Sequence, residues 1–233
     1  MPDGMLLIHK PSGMTSHDVV DAVRRKLGIR RVGHTGTLDP MAEGLLIVLV
    51  GAATKQQQAF QRHEKRYEAT LQLGVQTDTG DRTGAVIHTA PVPELERGRL
   101  TQLLASFEGS LSQTPPAYSA VKVRGRPAYW WARRQQSVTL SARTIQLSAC
   151  SLLACERETI TFRVDCSAGT YIRTLGESIA ERLGTVGHLT RLVRLGIGAW
   201  TLEEAKPLAR LLEATPETVA ADLRPLGPIR PAA

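Results

Sequence analysis

Leu45-Leu46-Ile47-Val48-Leu49-Val50 is an unbroken apolar run of strand length, and its lack of alternation suits a strand buried on both faces. Upstream, Met5 to Ile8 reads as a short strand, followed by a loop at Lys10-Pro11-Ser12-Gly13-Met14. A helix then starts at Thr15, which stands with Asp18 at capping-box spacing. Val19, Val20, Val23 and Leu27 share its apolar face, and Gly28 is placed to end it. Downstream, Lys65 to Leu73 alternates around Tyr67, Ala69, Leu71 and Leu73 like a half-buried strand. Gln76 to Gly84 reads as a polar loop and Glu94 to Phe107 as a helix, after which Pro115 and Pro116 break the chain. Val121 to Arg126 suits a basic hairpin arm, Thr159 to Val164 a strand and Tyr171 to Leu183 a helix. From Glu203 to Leu212 one helix is expected, then a loosely ordered tail with Pro225, Pro228 and Pro231. Strands and helices are interspersed without a βαβ rhythm, which favours an α+β fold with a mixed sheet over a doubly wound parallel one.

The 233 residues can bury one sizeable core, and 29 Lys+Arg against 22 Asp+Glu give a net charge of +7. Such a balance favours polyanionic partners such as nucleic acid, and it also serves solubility alone. Cys150, Cys155 and Cys166 form no CxxC pair and have no histidine cluster beside them, so a reduced cytoplasmic chain without a zinc site is expected. No apolar run is long enough to span a bilayer, and no secretory leader is recognisable.

The chemistry concentrates just before the apolar run, in Arg30-Arg31-Val32-Gly33-His34-Thr35-Gly36-Thr37-Leu38-Asp39-Pro40. One carboxylate sits there on a glycine-rich turn downstream of a cationic patch that begins at Arg24, Arg25 and Lys26. Asp39 suits a nucleophile held outward by the following proline, and an Asp-Pro step equally suits an ordinary turn or cap. Tyr129, Trp130, Trp131, Arg133 and Arg134, on a short helix, suit base stacking and phosphate pairing, or a helix that buries its tryptophans in a core. Asp78-Thr79-Gly80 has no second copy to form an aspartic dyad, Gly51 to Lys55 lacks the full P-loop pattern, and neither a G-x-S-x-G elbow nor an H-E-x-x-H helix is present.

Seven segments occur in an order that resembles the bacterial tRNA pseudouridine-55 synthases, the TruB family. They are Lys10 to Ser16, Gly33 to Pro40 with Gly44-Leu45-Leu46, Lys65-Arg66-Tyr67, Thr77 to Asp81, Pro116 to Lys122, Gly169 to Thr174, and His188 to Leu192. The resemblance runs to about Trp200, which stands where an aromatic is usual. It implies the pseudouridine synthase fold, a mixed and largely antiparallel central sheet flanked by helices. It also implies a catalytic domain over residues 1–200 with a basic RNA-binding arm near 117–140, and a short C-terminal segment over 201–233 in place of a full PUA domain. Reduced tRNA affinity is expected from that difference, and a guide-RNA-dependent mode is disfavoured.

By the same resemblance Asp39 would be the nucleophile. Arg173 would pair with it and favour the ionised carboxylate, and Tyr67 would lie against the base and move the proton that leaves carbon. His34 would occupy the space of the flipped uridine, Tyr171 and Leu192 would line the receiving pocket, and Lys10 and Lys122 would neutralise phosphates. The expected partner is the T-arm of tRNA, acted on by a monomer without metal, cofactor, membrane or obligatory protein partner. A second reading, a tRNA-folding chaperone, uses the same charge and base-flipping residues, and a third keeps the chemistry on another RNA.

Overall fold

The computed structural model describes residues 3–226. In chain order it begins with β1 (Gly4–Lys10), α1 (Ser16–Leu27), β2 (Val32–His34), β3 (Glu43–Val50), a 3-10 turn at Gly51–Gln56, α2 (Gln57–Gln61) and β4 (Lys65–Leu73). There follow β5 (Val75–Thr77), β6 (Val86–Thr89), α3 (Arg97–Ala105), β7 (Gly109–Gln113), β8 (Lys122–Val123), β9 (Arg126–Pro127) and α4 (Ala128–Ala132). The chain continues through β10 (Arg143–Glu156), β11 (Thr159–Cys166), α5 (Ile172–Arg182), β12 (Gly187–Ile197), β13 (Trp200–Thr201), β14 (Lys206–Pro207), α6 (Leu208–Glu213) and α7 (Pro216–Ala221). Two compact units result, one made of residues 1–67 with 193–233 and the other of residues 68–192.

In the first unit the strand order is β14-β1-β3-β12, with β2 also on β3. β1 runs antiparallel to β3 from Gly4 opposite Val50 to Lys10 opposite Gly44, whereas β12 joins β3 in parallel at Val193 and Arg194. The continuous apolar run of β3 has a simple cause, because alternate side chains enter different cores. Leu46, Val48 and Val50 pack with Val19, Val20 and Val23 of α1 and with Leu208, Leu211 and Val219. Leu45, Ile47 and Leu49 pack with Met5, Leu7, Phe60 and Ile197. α1 is bounded as its sequence predicts: Thr15 and Asp18 form both bonds of the capping box, and Gly28 closes the helix at φ 66°.

In the second unit β11 and β10 pair antiparallel, and β7 pairs antiparallel with β10 from Gln113 opposite Arg143 to Gly109 opposite Leu147. β4 and β11 each bury alternate residues, Ala69, Leu71 and Leu73 on the first and Ile160, Phe162 and Val164 on the second. Leu100 and Leu104 of α3 and Leu175 and Ile179 of α5 are buried as well. The sheets are mixed and largely antiparallel with helices against them, as expected for the α+β class.

Several local expectations change. No single helix covers Glu203–Leu212, because Pro207 can neither donate a backbone bond nor fit a preceding helical turn. A 3-10 turn at Leu202–Glu204, the short β14 and the separate α6 replace it. The chain beyond is held as far as Arg224, whose backbone exchanges two 2.9 Å hydrogen bonds with Met5. Pro228 and Pro231 lie outside the described residues. The expected loop at Gln76–Gly84 begins inside β5 and is a hydrogen-bonded turn about Asp81. Trp130 and Trp131 are half-buried rather than core residues, and the Arg134 guanidinium lies 3.7 Å from the Trp130 ring centroid.

Candidate active site

Asp39 is half-buried on the turn between β2 and β3, and the backbone on either side of it is tied from several directions. The buried Ser16 hydroxyl accepts from the Leu38 N–H at 2.8 Å and donates to the Leu38 carbonyl at 3.2 Å. Gly13 N–H donates to the Pro40 carbonyl at 2.8 Å, and the Ser12 hydroxyl to the Met41 carbonyl at 2.9 Å. These bonds explain the Lys10–Ser16 motif, since its loop and helix start form the seat of the Asp39 turn. Fixing a carboxylate through its own backbone removes conformational entropy before any ligand arrives.

Lys10 is 0% exposed, and its ammonium donates to the carbonyls of Pro11 at 2.9 Å, Met14 at 2.7 Å and Pro40 at 3.5 Å. That internal place differs from the solvent-facing one that neutralising a phosphate requires. Burial, then repulsion from Arg194, brings the Lys10 pKa down to about 8, opposed by the carboxylates of Asp39, Glu43 and Asp18. His34, on β2 opposite Val48, is pushed down to about 4 by burial and then by Arg194 and His17. Its imidazole is therefore neutral at pH 7, and its buried Nδ1 has no hydrogen-bond partner. Tyr67, 8% exposed, is one of the inward-facing residues of β4.

In the second unit Arg173 stands in the first turn of α5 and is 4% exposed. Its Nη1 donates to the Thr79 carbonyl at 2.7 Å and its Nη2 to the Tyr118 carbonyl at 2.8 Å, while Nε lies 3.9 Å from the Asp81 carboxylate. Asp81 is itself fixed by Thr79, by the Thr83 N–H and by the Thr83 hydroxyl at 2.6 Å. The Thr77–Asp81 and Pro116–Lys122 motifs thus converge on one guanidinium. Glu177 lies nearby against Gly80, its carboxyl pushed up by burial and drawn back by Arg173.

Tyr171 caps α5 with its backbone held by the Gln113 side chain, which accepts from its N–H at 2.8 Å and donates to its carbonyl at 3.0 Å. The Arg143 guanidinium sits 4.8 Å from the Tyr171 ring centroid. Leu192 is 5% exposed on β12, and Lys122 is exposed on β8. The structure therefore groups Lys10, His34 and Asp39 in the first unit, and surrounds Arg173 and Tyr171 with supporting residues in the second. Sequence reading missed Arg194, Gln113 and Asp81 as supports. Leu192, Val193 and Arg194 are buried in succession on β12, so no alternation in the sequence marked Arg194. Among the described residues no group of three or more His, Cys, Asp or Glu side chains is placed to hold a metal ion.

A family model for the TruB family pseudouridylate synthase N-terminal domain matches residues 24–172. The tRNA pseudouridine synthase B of Burkholderia lata is 47% identical over 224 residues, covering 96% of this chain and 69% of that protein. Its counterpart from Hydrogenovibrio crunogenus is 45% identical over 209 residues, covering 90% of this chain and 69% of that protein. Among solved structures, a chain of a Cbf5-Nop10-Gar1 complex matches with a TM-score of 0.71 at 30% identity, over 90% of this chain and 54% of that one. A chain of an archaeal box H/ACA sRNP Nop10-Cbf5 complex matches with a TM-score of 0.70 at 25% identity, over 95% of this chain and 59% of that one. This chain spans little more than half the length of those two. With an aspartate seated on a braced turn in the first unit, and sequence identity to the curated relatives that extends over nearly the whole chain, the chain belongs to the TruB family of pseudouridylate synthases.

Proposed function

We propose that this isomerase converts the T-loop uridine of tRNA to pseudouridine in the cytoplasm, with Asp39 as its nucleophile. The observation that carries the proposal is the Asp39 turn, whose backbone is fixed at Leu38, Pro40 and Met41 by side chains and loop of the Lys10–Ser16 motif. The reaction exchanges a nitrogen–carbon glycosidic bond for a carbon–carbon one. A proton leaves the ring carbon and one returns to the ring nitrogen, so atoms and electrons balance within the substrate. A carboxylate suits this chemistry because it can stabilise or capture the electron-poor centre formed when the base detaches.

Arg173 is assigned as the counter-ion of Asp39, and Tyr67 as the group against the base that moves the carbon-bound proton. A neutral His34 fits the task of filling the space left by a flipped base, because an uncharged ring enters a base stack at a lower desolvation cost than an imidazolium. Tyr171 and Leu192 are assigned to the receiving pocket and the exposed Lys122 to phosphate. Lys10 supports the reaction from within, as a brace of the turn. The test is pseudouridine mapping on unmodified tRNA transcripts with wild type and Asp39→Asn. Conversion confined to the T-loop with wild type alone is expected; conversion by Asp39→Asn, or at another site, would overturn the assignment.

A further inference from the structure

Arg194 belongs to none of the assignments above, yet it is the largest fully buried side chain among the described residues, at 1% exposure. It lies on β12 directly opposite Gly44 of β3. The two strands approach there so closely that a Cβ on Gly44 would stand 2.4 Å from the Arg194 carbonyl oxygen and 2.6 Å from its nitrogen. Gly44 also holds φ 111°, a conformation that other residues rarely adopt. A glycine at this position therefore admits the arginine backbone, and the side chain then reaches behind the Asp39 turn.

Its guanidinium joins two segments. Nε donates to the Leu45 carbonyl at 2.8 Å, Nη2 to the Gly36 carbonyl at 3.1 Å and Nη1 to the Thr37 carbonyl at 3.4 Å. Leu45 is part of the doubly buried β3, whereas Gly36 and Thr37 immediately precede Leu38 and Asp39. Ser16, Gly13, Ser12 and Lys10 hold the turn from the side of the N-terminal loop, and Arg194 holds it from the strand. A buried guanidinium carries a large desolvation cost, and a planar fork is the side chain that can satisfy carbonyls on two separate segments at once. Its charge reaches the neighbouring groups as well, since it lowers the pKa values of both Lys10 and His34.

We propose that Arg194 is a positioning residue for the isomerisation, tying the Gly36–Thr37 backbone to β3 so that Asp39 is presented in a fixed attitude. The inference rests on the reading of Asp39 as nucleophile. A lysine keeps the charge but concentrates its donors on one nitrogen, so it cannot reproduce the fork.

The experiment compares wild type with Arg194→Lys, Arg194→Met and Arg194→Ala, using an unmodified tRNA transcript. Single-turnover conversion is expected to fall about 100-fold in the Lys and Met variants, the scale of loss for a reacting group misplaced by about 1 Å. Transcript affinity should stay within about twofold, and cooperative melting should persist above the assay temperature. Sub-denaturing guanidinium, but not tetramethylammonium, should restore part of the rate of Arg194→Ala. Amide hydrogen exchange over residues 36–41 should quicken in Arg194→Met while β1 stays protected. Wild-type conversion rates in folded variants, a loss confined to affinity, or variants that no longer melt cooperatively would each overturn the proposal, the last because the role would then be stability of the unit. If wild type converts nothing while exchange over 36–41 still responds to Arg194→Met, the nucleophile reading fails and the positioning of the turn stands.

Discussion

His34 illustrates how much of the chemistry is set residue by residue. Burial, reinforced by the nearby Arg194 and His17 charges, moves its pKa from 6.5 to about 4. The unfolded chain therefore binds more protons than the folded one between pH 4 and 6.5. The stability contribution of the neutral ring is complete above about pH 6.5 and is lost as pH falls towards 4. Replacing His34 with Gln should flatten that loss by on the order of 1–3 kcal/mol, measured by denaturant unfolding at pH 7 and pH 4.5; an unchanged difference between the two pH values would show that folding leaves the His34 pKa unshifted. Lys10 has the same sign in a higher window. Its folded pKa of about 8 lies below the ordinary 10.5, so the cost of its buried charge is present below pH 8 and is relieved as pH rises towards 10.5. The identity of these residues was readable from motifs, but the burial that tunes them was not: a lysine beside a proline and a glycine carries no sign that its ammonium will meet three carbonyls.

At the scale of elements, the parallel pairing of β3 with β12 leaves no room for a side chain at Gly44. Gly44→Ala would place a Cβ within 2.4 Å of strand backbone that cannot swing aside, on a residue at φ 111°. A destabilisation of more than about 3 kcal/mol is expected in thermal or denaturant unfolding, with slower conversion in whatever fraction folds. A variant as stable as wild type would mean that the two strands separate readily. Elements with strong local signals were legible in the sequence. α1 carried its cap, stripe and terminal glycine, and β4 carried a period of two over nine residues. β10 was missed because alternation is blurred by Ser148, Ser151 and two register shifts, so that its 14 residues show no clean pattern. The helix expected at Glu203–Leu212 failed for a local reason, the proline at 207, whose effect outweighed the apolar spacing around it.

For the whole molecule, a net charge of +7 and an exposed arm bearing Lys122, Arg124 and Arg126 suit a polyanionic substrate. Phosphate neutralisation releases counterions, so affinity for a tRNA transcript should fall steeply between low and moderate salt. Filter binding across that range checks this, and a flat response would remove electrostatics as the basis of binding. No helix among the described residues is long and apolar enough to cross a membrane. What the sequence by itself determined was the set of chemical groups and the local elements: an aspartate on a glycine-rich turn, a capped helix before it, an apolar strand after it, and motifs in family order. Only the tertiary structure decided which of those groups are buried and what they touch. Arg194 lies 155 residues after Asp39 in the chain, yet it reaches the Asp39 turn through a parallel strand pairing that no local pattern encodes. Burial, hydrogen-bond partners and pKa values depend on such long-range closures, whereas caps, turns and alternation depend on neighbours in sequence.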